Sequence, residues 1–107
     1  MEIIRDINSY EEMKDLINLE ERLIIYFGTD KWSVCASVFP QLENVVKKYD
    51  IKIVKVDVDS QRELAGQFLA FVMPTILIMN QGKEALREAR FIDFEKIDRT
   101  LETLFQE

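Results

Sequence analysis

The chain has 107 residues, a formal net charge of −6, no histidine and a single cysteine. Without histidine, Ser-His-Asp and Cys-His catalysis and a zinc site built on His or paired Cys are excluded within it, and one sulfur cannot close an intramolecular disulfide. An acidic chain with no Lys/Arg block repels nucleic acid and anionic lipid. No apolar run approaches the roughly 20 residues that span a bilayer. The opening Met1 to Asp6 is acidic and soon polar, unlike a signal peptide, so a cytoplasmic location is expected. With 48% apolar residues, one domain over residues 1–107 and one core are expected, needing neither disulfide nor metal.

Glu2 to Arg5 reads as a short strand. Ser9 to Glu12 has the S-x-x-E form of a capping box, and Tyr10, Met13 and Leu16/Ile17 follow at helical spacing to about Asn18. Leu23 to Phe27 is apolar at every position, as suits a strand covered on both faces. From Val34 the apolar residues 34, 38, 42, 45 and 46 make one stripe of a helix reaching Tyr49, with Pro40 inside it. Proline favours the first helical turn, so this helix either starts at Pro40 or runs through it.

Ile51 to Val58 alternates and is rich in Ile and Val, which predicts a strand. Asp59 or Ser60 caps the next helix, with Ser60-x-x-Glu63 as a second capping pattern and Leu64, Ala65 and Phe68 facing inward. Pro74 suits the entrance of a strand over Thr75 to Met79. Asn80 to Lys83 turns the chain into a hairpin strand, Glu84 to Ala89. Asp93 caps a last helix with Phe94, Ile97, Leu101, Leu104 and Phe105 on one face. The order β-α-β-α-β-α-β-β-α predicts an α/β fold, a mixed five-stranded central sheet flanked by four helices.

A strand, a turn holding Trp32 and Cys35, a helix with Pro40 and, far downstream, Met73-Pro74-Thr75 resemble the thioredoxin superfamily over nearly the whole chain. The resemblance implies a thioredoxin fold and a helix that begins just before Cys35. It also implies that Met73-Pro74 is cis and that the backbone before the proline pairs with an extended peptide. In the family this turn carries Trp-Cys-x-x-Cys, an exposed nucleophile and a resolving thiol at a helix N-terminus. If Trp32 is the family Trp, Ser33 replaces the nucleophile and Ala36 the resolving Cys. Spacing kept without gaps from Phe27 to Pro40 instead sets Trp32 at the nucleophile and Cys35 at the resolving position, and this second placement needs no insertion or deletion. On either, a dithiol cycle cannot run.

Further departures from the family lie around this turn. Its buried acid falls on Tyr26, a phenol and a poor base near neutrality. Its glycine after the hairpin falls on Arg90. Its paired lysine falls on Lys55, without the carboxylate neighbour, free to snorkel to solvent. Two functions from different classes follow. One is a thiol-redox protein acting through Cys35 alone, by mixed disulfides with a client protein or a low-molecular-weight thiol, or by oxidant sensing. The alternative is a non-catalytic peptide-binding module using a groove of Trp32, Ser33, Val34, Met73, Pro74 and Thr75. Against the first stands the reading of Cys35 as a buried small hydrophobe. Asp57 and Asp59 read as solvated strand-end acids, and the Phe and Met residues mostly as core. No cofactor or metal is expected, and the sequence carries no signal for an oligomeric state.

Overall fold

The computed structural model describes residues 1–106. The strands are β1 (Ile3–Ile4), β2 (Arg22–Gly28), β3 (Lys52–Asp57), β4 (Thr75–Asn80) and β5 (Lys83–Ala89), and the helices α1 (Tyr10–Leu19), α2 (Ser33–Val46), α3 (Arg62–Gln67) and α4 (Phe94–Phe105). The sheet order is β1-β3-β2-β4-β5. The strands β1, β3 and β2 are parallel, whereas β4 and β5 run antiparallel to their neighbours. This is the thioredoxin fold expected from the sequence.

The unbroken apolar run of β2 is explained by the two layers. Ile24 and Tyr26 enter a cluster with α2 and α4, while Leu23, Ile25 and Phe27 enter another with α1 and α3. Side chains alternate across a strand, so a central strand covered by helices on both faces must be apolar throughout. On α2 the buried residues are Cys35, Val38, Phe39, Leu42 and Val46. The stripe is therefore rotated from the expected one, with Val34 outside and Cys35 inside. Phe39 sets the rotation, because its ring meets Tyr26 edge-on at 4.9 Å and Cys35 lies one turn earlier on the same face. Pro40 lies within α2, which excludes a helix starting there, and the helix stops at Val46 rather than Tyr49.

The Ser9 cap forms as expected: the Glu12 N–H donates to its Oγ at 3.1 Å. The Glu12 carboxylate accepts from the Asn8 N–H, one residue before the usual box partner. Asp93 accepts from the Lys96 N–H. The α3 cap differs from the expectation. Gln61 is the N-cap and makes no side-chain cap bond. Ser60 Oγ donates instead to the Asp57 carbonyl and carboxylate, and the Asp59 N–H also donates to Asp57, so the loop closes around that acid before the helix begins. The hairpin turn sets Gln81 and Gly82 both at positive φ, 51° and 81°, which matches the right-handed twist of its strands.

Arg87 on β5 holds the end of α3. Its guanidinium donates to the Phe68 carbonyl at 2.8 Å and the Leu69 carbonyl at 3.3 Å. No described helix is long and apolar enough to cross a membrane.

Candidate functional site: a groove beside a thiol-poor helix terminus

Trp32 is the N-cap of α2 in extended conformation and offers no side-chain cap. Ser33 and Val34 are exposed in the first turn. Cys35, the next residue, is only 1% exposed. Beneath it Tyr26 reaches up from β2, and its hydroxyl donates to the Cys35 carbonyl at 3.1 Å. Burial is the main reason that this phenol is pushed well above its ordinary value, with Cys35 adding to the effect. It stays protonated near neutrality, a donor to the helix backbone and no base for the thiol.

Gly28 makes the phenol possible. It sits two residues along β2 on the same face, and a Cβ there would stand 2.6 Å from the Tyr26 hydroxyl oxygen. Lys55, the β3 partner of Tyr26, does not simply snorkel. Its Nζ lies 4.3 Å from the Phe39 ring centroid and 3.2 Å from the carboxylate of exposed Asp30.

The Met73–Pro74 bond is cis. The Pro74 carbonyl accepts from the Arg90 N–H at 2.9 Å. Arg90 has φ +65°, the left-handed region that favours glycine. The left-handed conformation costs an L-residue about 1–2 kcal/mol, and most for a β-branched one. Arg90→Gly is therefore expected to hold or raise the thermal midpoint, and Arg90→Val to lower it; the reverse order would mean that the Arg90 side chain, not its backbone, sustains this loop.

Trp32 and Met73 share one groove of about 300 Å³ with Phe71, Arg62 and Gly66. Trp32 is 56% exposed and Phe71 75%, so two aromatic walls stand in solvent. Of the other expected site residues, Ser33 and Val34 border the helix start without lining the groove, and Pro74 and Thr75 are buried. The Thr75 hydroxyl donates to the Val72 carbonyl and serves the loop. Sequence reasoning missed Phe71, Arg62 and Gly66. Phe71 and Phe91, at 83% exposed, also depart from the reading of phenylalanines as core. An apolar residue just past the end of a short helix belongs to no periodic pattern, so nothing local marked Phe71 as exposed.

Together these features define a thioredoxin-type domain in which an apolar groove survives without a disulfide couple. The thioredoxin family model matches residues 6–103. The chain is 31% identical to a thioredoxin-like protein, YdfQ, of Bacillus subtilis, over 99% of this chain and 96% of that one. It superimposes on a mutant thioredoxin of Halobacterium salinarum with a TM-score of 0.83 at 19% identity, covering 96% of this chain and 90% of that one. With oxidised mitochondrial thioredoxin 3 of Saccharomyces cerevisiae the TM-score is 0.80 at 23% identity, over 95% of each chain. The chain belongs to the thioredoxin family, a family of redox proteins.

Proposed function

We propose that this chain works as a non-catalytic thioredoxin-fold module that binds an extended peptide or protein segment in the groove beside Met73-Pro74. The observation that carries the reading is the exchange of properties at the turn. On the gap-free placement the exposed Trp32 takes the position of the family's nucleophile, and the one sulfur, three residues on, is buried. Pairing with an extended segment uses a backbone edge and apolar pockets, not a thiol. Exposed aromatic residues beside such an edge suit anchoring contacts, since tryptophan and tyrosine dominate binding hot spots.

The test is selection of phage-displayed random nonapeptides on the immobilised protein. Enrichment is expected on the unaltered chain and on Cys35→Ser, and is expected to fall at least tenfold on Trp32→Ala and Phe71→Ser. Equal enrichment on Phe71→Ser would remove the groove from the reading.

The second reading, monothiol chemistry at Cys35 with a low-molecular-weight thiol or client protein, is supported by the sulfur's place in the first turn of α2, beside the turn that carries the chemistry in the family. Incubation of the folded protein with oxidised glutathione separates the two. Intact mass is expected to stay unchanged, and a glutathione adduct on native Cys35 would restore the monothiol function.

A further inference from the structure

We infer that the segment bound in this groove carries a bulky apolar side chain and, two residues away in either direction, a carboxylate that pairs with Arg62. This inference rests on the peptide-binding reading and adds the chemistry of the occupant.

Gly66 gives the apolar half. It lies on α3, where glycine is the poorest helix former after proline. Its backbone is not left-handed, and a Cβ built on it would meet nothing within 4 Å. Neither conformation nor packing within the chain requires glycine there. What its missing side chain leaves open is part of the groove that Gly66 lines together with Trp32 and Phe71. A space lined by two aromatic side chains and a glycine fits a leucine- or phenylalanine-sized group.

Arg62 gives the charged half. It lines the same groove one turn before Gly66. It makes no ion pair or side-chain hydrogen bond among the described residues. The Asp59 carboxylate is held below its ordinary range chiefly by Lys31 Nζ at 3.3 Å and the Thr29 hydroxyl at 3.0 Å, both on Oδ2, and only in smaller part by the Arg62 charge acting through space. An arginine with unused side-chain donors in the lining of an apolar groove is a local complement for a carboxylate supplied from outside.

The spacing follows from two rises. Four helical residues separate Arg62 from Gly66, about 6 Å along α3. Two residues of extended chain advance about 6.6 Å and point their side chains to the same face. For a segment lying along α3, an anchor over Gly66 thus places the side chain two positions away beside Arg62.

Fluorescein-labelled nonapeptides test this, each with a Ser/Gly background and one of the triplets Leu-Ser-Glu, Glu-Ser-Leu, Leu-Ser-Gln or Leu-Ser-Lys, read by fluorescence polarisation. At least one Glu probe is expected to bind about two- to fivefold more tightly than the Gln probe, the range of an exposed ion pair. The Lys probe is expected to bind most weakly. The advantage of Glu over Gln should shrink in 0.5 M salt, roughly where screening falls to a few ångströms. Arg62→Glu is expected to invert the order, so that Lys binds better than Glu. Gly66→Leu is expected to abolish binding of every probe while circular dichroism and thermal midpoint hold.

Equal affinity for Glu and Gln probes, with no inversion on Arg62→Glu, overturns the carboxylate. Binding that survives Gly66→Leu overturns the anchor position. If no probe binds, the inference falls. The nonapeptide selection then separates the causes: enrichment lost on Phe71→Ser keeps the groove, and no enrichment on the unaltered chain removes the groove and the inference together.

Discussion

Trp32→Cys is expected to yield a protein that closes a disulfide to Cys35 on oxidation and reduces insulin above the thiol background, where the unaltered chain does neither. Residue 32 is the N-cap of α2 and residue 35 sits three positions on. Side chains at the N-cap and third helical positions meet in ordinary capping boxes, which brings two thiols placed there within reach of one another. The helix terminus offers free N–H groups and a partial positive charge, so a thiolate at 32 is favoured.

Turnover should nevertheless lag behind disulfide formation. Cys35 has the Tyr26 hydroxyl on its carbonyl, and among the described residues no carboxylate is hydrogen-bonded to it. Mixed disulfides between residue 32 and substrate should accumulate, which intact mass after acid quench will reveal. Failure to lose about two mass units on oxidation, one disulfide's worth, would reject the gap-free placement of Trp32 at the attacking position.

Gly28→Ala is expected to destabilise the fold by about 1–3 kcal/mol, the ordinary cost of overpacking a full core. The added methyl would meet three atoms of the Tyr26 side chain at 2.6–2.8 Å. That ring cannot step aside, because it is buried, packed edge-on against Phe39 and bonded to the Cys35 carbonyl. Backbone strain is not the cause, since Gly28 is not among the positive-φ residues. On a Tyr26→Val background the same substitution should become neutral or stabilising, as alanine is the better strand residue. Urea unfolding of the four proteins gives the coupling directly. Strict additivity would mean that the two residues do not compete for space.

Much of this architecture was legible because single residues carried unambiguous instructions. The apolar monotony of Leu23 to Phe27 demanded cover on both faces, Ser9 and Asp93 capped where they stood, and Asn80 to Lys83 could only turn. Ser60 misled because its hydroxyl donates to Asp57 instead of accepting from a helix N–H. Val34 and Cys35 are both small apolar residues, and only the Tyr26–Phe39 contact decides which of them turns inward.

The groove was less legible still. Trp32 and Met73 could be named from the family pattern, but Arg62, Gly66 and Phe71 reach the site only because the crossover from β3 lays α3 beside the β2–α2 turn. No spacing along the chain encodes that meeting.

The two bonds from Arg87 to the Phe68 and Leu69 carbonyls bear on how anything docks. They moor the stretch that leads into Phe71 to the outermost strand of the sheet. One aromatic wall is thus set when the chain folds, and an incoming segment need not immobilise it. Preorganisation of this kind saves ordering entropy at the moment of association and slows departure more than it speeds arrival.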